Sequence, residues 1–292
     1  MNTKERDIKF TKMHGAGNDY VYIDCIKAEC PADLSELAIR IADRHFGVGA
    51  DGLVVILPSR KADFRMRIFN ADGSEAQMCG NASRCVAKFL HDNEYSGNTT
   101  ITLETLAGIR TLLIHTDDDG EVSQVTVDMG APIIESDLVP VRADGTAVPA
   151  SVTLTDGIKA LAIGMGNPHG VIFTEDLGDE MVITNGPIFE THEAWPEKAN
   201  IEFAKVIDSH TVEMRVWERG SGETLACGTG ACATAVAGIL SGRLLSPVTV
   251  RLKGGNLLID WPGFPASVMM TGPAATVAEG SFRLPSSAKS ST

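Results

Sequence analysis

The sequence predicts an α+β protein of two pseudo-symmetric domains, each a mixed, mostly antiparallel sheet wrapped around a central helix. Two observations predict this fold. A segment of the chain recurs at a constant offset, and each copy leads from a strand through a Gly- and Ser-rich loop into a helix. The composition agrees, because 292 residues with 43% hydrophobic and 22% charged side chains are typical of a globular chain long enough for two domains.

The repeat is the strongest signal. Residues 67–81 align with residues 215–229 at an offset of 148 positions, and Arg, Glu, Cys and Gly are identical in both copies. A second pair, 15–18 and 164–167, matches at an offset of 149 positions. Two matches at nearly one offset indicate two homologous halves.

Hydrophobic periodicity predicts the elements of the first half. Residues 50–57 and 64–69 are apolar or alternating runs that indicate strands. Residues 109–115 and 122–129 flank an Asp-Gly step and predict a hairpin. Between them, residues 81–92 carry apolar side chains at helical spacing.

The second half shows the same order. Residues 211–217 predict a strand, and residues 230–240 predict an Ala-rich helix that ends before Gly242. This helix is apolar nearly all round, which is typical of a buried helix.

Charge and hydropathy exclude several classes of partner. The net charge of −13 argues against binding to nucleic acid or to anionic membranes, because proteins that bind them usually present a basic face. Residues 1–10 are charged where a secretory signal needs an apolar core, and the apolar run 53–57 is far too short to span a membrane. We therefore expect a cytoplasmic protein with a small-molecule substrate, no nucleic-acid partner and no membrane association.

The six cysteines are divided by their positions. They form no C-x-x-C pair and lie near no histidines at zinc-ligand spacing, so we expect neither a metal site nor a disulfide framework. Cys79 and Cys227 occupy the repeated position, just before a predicted helix. Because a helix N-terminus favours an anion, these two are candidate thiolates with lowered pKa values beside a carboxylate site. The other four, Cys25, Cys30, Cys85 and Cys232, are expected to be inert.

Two thiols related by a pseudo-twofold axis are expected to face each other across the cleft between the halves. This arrangement suits inversion of a stereocentre, because one group removes a proton from one face and the other delivers a proton to the opposite face. No cofactor motif accompanies it.

Alternative functions would use the same residues. Gly228, Gly230 and Ala233 fit the dinucleotide pattern G-x-G-x-x-A, but no acidic residue follows about 20 positions later and no βαβ unit surrounds it. A Cys-His-Asn hydrolase with His169 leaves the duplicated cysteine unexplained. A non-catalytic amino-acid-binding protein and a cysteine redox sensor also remain open.

Four motifs in order resemble the diaminopimelate epimerase family: residues 12–20, 70–81, 166–169 and 218–230. The resemblance covers about residues 10 to 282. It implies interconversion of LL- and meso-diaminopimelate without pyridoxal phosphate, for lysine and cell-wall precursors, and it implies a homodimer. We expect residues 7–128 plus 273–285 to form the first domain and residues 129–272 the second.

The resemblance also implies roles for individual residues. Cys79 and Cys227 correspond to the acid/base pair, and His169 and Glu218 to groups that tune the thiols. The groups expected to hold the reacting carboxylate are Gly80, Asn81, Gly228 and Thr229. Glu218 is expected to accept the substrate ammonium. The residues expected to contact the rest of the substrate are Asn18, Asn70, Asn167, Asn200 and Arg219.

Two positions depart from the family pattern. Gly52 stands where some relatives have Gln, so that contact is not carried over to this chain. Ala82 replaces a usual Gly, and we expect it to be tolerated as part of a helix start. A racemase of another amino acid, such as histidine, remains the alternative within the same fold.

Overall fold

The computed structural model of the protein describes residues 6–284. The first five residues, which contributed to the expectation of no secretory signal, lie outside the described residues. Position 285, the predicted end of the first domain, also lies outside them. Ends of the predicted helices and strands differ from the observed ones by at most two residues.

The first half is a sheet curved around one long helix. Its elements are β1 (Arg6–Gly15), β2 (Asn18–Asp24), α1 (Leu34–Ala42), β3 (Gly52–Pro58), β4 (Phe64–Asn70), β5 (Glu75–Ala76), α2 (Gly80–Asp92), β6 (Thr100–Thr105), β7 (Gly108–Thr116) and β8 (Val122–Asp128). The shorter helix α1 packs on the outer side of this sheet against a separate apolar cluster. The long helix α2 packs on the inner side.

The second half repeats this order. Its elements are β9 (Ala150–Thr153), β10 (Lys159–Gly164), β11 (Pro168–Phe173), α3 (Gly186–Glu190), β12 (Asn200–Asp208), β13 (Thr211–Glu218), β14 (Gly222–Glu223), α4 (Gly228–Leu240), β15 (Val248–Leu252), β16 (Gly255–Asp260) and β17 (Met269–Gly272). A last strand, β18 (Ala275–Leu284), returns to pair antiparallel with β1 in the first half.

Strand pairing demonstrates the internal repeat. In the first half β2 pairs parallel with β3, β3 antiparallel with β4, and β4 parallel with β6. In the second half β11, β12, β13 and β15 show the same sequence of parallel, antiparallel and parallel pairs. The cross-strand pair Val54 and Ile68 in the first half corresponds to the pair Glu202 and Val216 in the second, again 148 positions later. The predicted α+β fold of two pseudo-symmetric domains is confirmed, whereas the exact domain limits remain a prediction.

The two central helices are both buried nearly all round, since ten of the thirteen residues are buried in α2 and ten of the thirteen in α4. In α4, small side chains let the surrounding strands approach closely. At its end, Gly242 adopts a positive φ of 71°, which a glycine accommodates without strain. Both helices are thus fixed rigidly in the core, and their N-termini point at a shared cavity.

No helix in the described part of the chain is long and apolar enough to cross a membrane.

Candidate active site

Both repeated cysteines are N-cap residues. Cys79 precedes α2, and its sulfur accepts the Ala82 N–H at 3.5 Å. Cys227 precedes α4, and its sulfur accepts the Gly230 N–H at 3.4 Å. Each thiol therefore occupies the place where a Ser or Asp side chain commonly caps a helix. The predicted position of both cysteines at helix starts is confirmed.

The two helix N-termini meet because each begins with a glycine. A Cβ on Gly80 would lie 2.5 Å from the Met270 methyl group, and one on Gly228 would lie 3.1 Å from the Met270 sulfur. The Asn81 amide also bridges the halves, since its nitrogen donates to the Ala226 carbonyl at 3.4 Å. Two sets of first-turn N–H groups, which have no intrahelical acceptor, thus open on one space.

This space is a cavity of about 450 Å³ between the halves. It is lined by most of the residues that the sequence indicated. From the first half these are Asn18, Asn70, Cys79, Gly80 and Asn81. From the second half they are Asn167, Glu218, Arg219, Cys227, Gly228 and Thr229. Two expected residues, His169 and Asn200, lie behind the cavity wall instead.

Asn18 contacts the first thiol directly. Its Oδ1 lies 3.5 Å from the Cys79 sulfur and also accepts the Asn81 amide at 3.3 Å. Its own nitrogen donates to Asp51 Oδ2 at 2.7 Å, and Arg44 binds the other oxygen of that carboxylate. The orientation of the Asn18 amide is therefore fixed by Asp51, which sequence reasoning did not single out.

Asn200 orients a neighbour of the cavity. Its Oδ1 accepts the Arg219 N–H at 3.0 Å and its Nδ2 donates to the Pro168 carbonyl at 3.1 Å. It is 3% exposed. These bonds fix the loop that carries Arg219, and direct contact of Asn200 with a substrate stays a prediction.

A buried pair lies behind Cys227. His169 Nδ1 is 2.7 Å from Glu202 Oε1, and both side chains are fully buried. The other ring nitrogen of His169 contacts Asn167 Oδ1 at 2.9 Å, so the imidazole connects the pair to the cavity wall. Sequence reasoning named His169 and missed Glu202. The available signal was a charged residue inside the apolar strand β12.

Glu218 is a buried carboxyl group beside the second thiol. Burial raises its pKa above the usual glutamate value, while hydrogen bonds from Thr224 and Cys227 act in the opposite direction. At the equivalent position of the first half stands Asn70, which is exposed and donates to Ser74. The acidic group is thus present on one side only.

The expectation of lowered thiol pKa values is wrong. Burial raises the pKa of Cys79, although the Ala82 and Asn81 N–H groups act in the opposite direction. Burial also raises the pKa of Cys227 to well above the usual value, and the Glu218 and Glu202 carboxylates add to this effect. The cost of burying a thiolate therefore exceeds the stabilisation by the helix N-terminus.

The structure explains the two departures from the family pattern. Ala82 lies inside α2 and is buried, as expected of a residue in a helix start. A Cβ on Gly52 would lie 2.1 Å from the Phe69 carbonyl oxygen, so this backbone has no room there for a longer residue. Across residues 6–284, no group of three or more His, Cys, Asp or Glu side chains is placed to hold a metal ion.

The chain matches the family model described as diaminopimelate epimerase over residues 10–135 and 161–277. It is 50% identical over 277 residues to the diaminopimelate epimerase of Methanococcus maripaludis, covering 94% of this chain and 99% of the relative. It is 48% identical over 279 residues to that of Acetivibrio thermocellus, covering 95% and 99%.

Solved structures with low sequence identity share the fold. A phenazine biosynthesis protein of the PhzF family from Bacillus anthracis superposes with a TM-score of 0.70 at 17% identity, covering 94% of this chain and 99% of its own. A hydroxyproline epimerase from Agrobacterium vitis has a TM-score of 0.66 at 18% identity, covering 96% and 92%.

Proposed function

The chain belongs to the diaminopimelate epimerase family, and we propose that it interconverts LL- and meso-diaminopimelate with Cys79 and Cys227 as the proton-transfer groups. Family membership makes the protein an isomerase. The observation that carries the proposal is the pair of cysteine N-caps that open on one cavity. We propose that the product serves lysine and cell-wall precursor synthesis.

The substrate α-carboxylate is expected to bind where the two helix N-termini meet. The first-turn N–H groups of Gly80, Asn81, Gly228 and Thr229 are the donors there. When the α-proton leaves, negative charge spreads from the α-carbon into this carboxylate. Two helix N-termini aimed at one group stabilise that charge more than the charge of the ground state.

The proposed proton transfer uses both thiols in each turnover. A thiolate on one face takes the α-proton, so an S–H bond forms as the C–H bond breaks. The thiol on the other face gives its proton to the α-carbon, so its S–H bond breaks as the new C–H bond forms. The centre is inverted, and the thiolate has moved from one cysteine to the other. No external oxidant, reductant or cofactor enters this balance.

The remaining expected contacts concern the substrate ammonium and the distal end. Glu218 is the carboxylate proposed to accept the ammonium of the reacting centre. Arg219, Asn70 and Asn167 line the same cavity and are proposed to read the distal carboxylate and ammonium. Asn18 contacts Cys79 and is proposed to orient that thiol beside the substrate. His169, through Asn167 and Glu202, is proposed to tune the second thiol.

The family likeness also supports proposals that the site does not address. These are a homodimer, a cytoplasmic location and activity without any cofactor. The predicted domains, 7–128 plus 273–285 and 129–272, are proposed as well. Pairing of β18 with β1 supports the return of the chain to the first domain.

Substrate identity is tested by comparing three L-amino acids in the purified protein. The stereoisomers formed from LL-diaminopimelate, L-lysine and L-histidine are separated by chromatography, under reductant and without pyridoxal phosphate. L-lysine is the matched control, since it lacks the distal carboxylate. We expect conversion of LL-diaminopimelate to exceed the other two by at least about a hundredfold, because unpaired polar groups in a site reject a truncated substrate. Equal or faster conversion of L-histidine would assign the site to the alternative racemase.

A further inference from the structure

A chain of four side chains runs along the first half of the cavity and links two opposite charges. Arg84 Nη2 donates to Asn81 Oδ1 at 2.9 Å, and Asn81 Nδ2 donates to Asn18 Oδ1 at 3.3 Å. Asn18 Nδ2 in turn donates to Asp51 Oδ2 at 2.7 Å. The chain thus begins at a fully buried guanidinium and ends at a carboxylate that does not line the cavity.

The two ends of this chain fix the orientation of both amides. A guanidinium only donates hydrogen bonds, and a carboxylate only accepts them. The Asn81 oxygen must therefore face Arg84, and the Asn18 nitrogen must face Asp51. Turning either amide would set donor against donor or acceptor against acceptor on both of its sides, and an unpaired buried polar group is unfavourable.

The remaining hydrogen-bonding groups of the two amides are also occupied. The Cys79 thiol donates to Asn18 Oδ1 at 3.5 Å. Asn81 Nδ2 donates to the Ala226 carbonyl at 3.4 Å, across the boundary between the halves. Each amide is therefore held at both its oxygen and its nitrogen.

Asp51 is itself held by neighbours on several sides. Its Oδ2 also accepts the Asp19 N–H at 3.1 Å, and its Oδ1 accepts Arg44 Nη2 at 2.8 Å. Its backbone oxygen accepts the Ala71 N–H at 3.0 Å, next to the cavity residue Asn70. The carboxylate is therefore a fixed acceptor for the Asn18 amide.

The second half has no equivalent chain. The residues that stand 148 positions after Asp51, Asn81 and Arg84 are Ala199, Thr229 and Cys232. Asn167, the equivalent of Asn18, contacts His169 Nε2 at 2.9 Å. An imidazole nitrogen donates or accepts according to its tautomer, so this partner does not require one orientation of the amide. The constraint by a donor-only and an acceptor-only group applies to the first half alone.

We propose that Asp51 is a positioning residue for the reaction: it keeps the Asn18 amide oxygen turned towards Asn81 and Cys79, so that the first half of the cavity is ordered before substrate binds. The inference rests on the proposed function for the reaction that the cavity performs. Without the carboxylate, the Asn18 amide can turn and Asn81 loses its fixed acceptor. The groups that bind substrate remain, but their geometry loosens, so turnover should suffer more than binding.

The kinetic test compares wild type, Asp51→Ala and Asp51→Asn in the conversion of LL-diaminopimelate. In Asp51→Ala we expect kcat to fall about tenfold, the equivalent of one lost hydrogen bond, and KM to change by less than about threefold. Asp51→Asn should restore most of kcat, because its amide oxygen can still accept from Asn18. A wild-type kcat in Asp51→Ala, or an Asp51→Asn protein as slow as Asp51→Ala, would overturn the proposal.

Arg44→Gln is the matched control. It removes the ion pair with Asp51 and leaves the carboxylate on the Asn18 amide, and the Arg44 side chain is 56% exposed. We expect kcat within about twofold of wild type, because an exposed ion pair contributes little. A fall as large as that of Asp51→Ala would assign the effect to the ion pair and contradict the role of the acceptor oxygen.

The orientation of the amide is also measured without substrate. In ¹H–¹⁵N spectra of the labelled protein, the side-chain NH₂ signals of Asn18 and Asn167 are assigned by their loss in Asn18→Ser and Asn167→Ser. We expect solvent exchange of the Asn18 NH₂ to be about tenfold faster in Asp51→Ala than in wild type, with Asn167 unchanged as the internal control. Unchanged Asn18 exchange would overturn the proposal even if the protein converts diaminopimelate. Faster exchange at Asn18 alone would support it even if the substrate is another amino acid.

Discussion

The α2 half of the site and the α4 half share a backbone but carry different charges. Both halves have the same strand pairing, the same loop and a cysteine N-cap. The buried cation Arg84 acts on the first cysteine, the buried carboxylate of Glu202 acts on the second, and Glu218 acts on both. Four pairs of equivalent positions carry different residues in the two halves. With the residue of the first half named first, they are Val54 and Glu202, Asn70 and Glu218, Ala82 and Gly230, and Arg84 and Cys232. Symmetry of the fold therefore places the two thiols at equivalent helix starts, whereas the charged groups around them differ.

The largest effect is expected from removing either thiol. Cys79→Ala and Cys227→Ala should each lower the rate of LL-to-meso conversion by about 10²–10⁴-fold or more, because each removes a positioned proton donor or acceptor. Conversion is followed by chromatography of the stereoisomers. Cys85→Ala is the matched control, since Cys85 is buried in α2 outside the cavity and should leave conversion largely unchanged. Wild-type conversion by Cys227→Ala would show that the halves are not equally required.

A smaller effect distinguishes the two first turns by their packing. Gly230→Ala introduces a Cβ 2.6 Å from Glu202 Oε1 and should lower the free energy of unfolding by about 1–3 kcal/mol. At the equivalent position, Ala82→Gly should cost about 1 kcal/mol through helix propensity alone. Urea denaturation measures both. A Gly230→Ala protein as stable as wild type would mean that Glu202 does not lie against this helix.

The smallest expected effect is a difference in pH dependence. Burial raises the pKa of Glu218, so the folded protein binds this proton more tightly than the unfolded chain does. Its contribution to stability is present below the unfolded pKa and is lost as pH rises through the folded pKa. Glu218→Gln should therefore gain stability relative to wild type between pH 4.5 and neutrality. Asn70→Asp, at an exposed position, should show no comparable dependence; a matching slope would remove burial as the cause.

The sequence predicted what local patterns determine. The repeat, the strands, the two central helices and the cysteine N-caps all follow from spacing and loop composition within short segments. Arg84 and Glu202 were missed because each has a partner far along the chain, the Pro273 carbonyl for Arg84 and His169 for Glu202. The direction of the thiol pKa shifts was missed for the same reason. The position of each cysteine at a helix start follows from nearby residues, whereas the burial of its thiol depends on the packing of the entire cavity wall.

The opposite-face account is tested most directly by isotope transfer in an early turnover. The wild-type protein is equilibrated in D₂O under reductant and mixed with LL-diaminopimelate, and the two isomers are separated before much product forms. The account predicts meso product carrying deuterium at the inverted α-carbon and recovered LL substrate still carrying hydrogen, because one thiol removes the hydrogen and the other delivers deuterium. Meso product that retains the original hydrogen would show a single group serving both faces and would contradict the roles of Cys79 and Cys227.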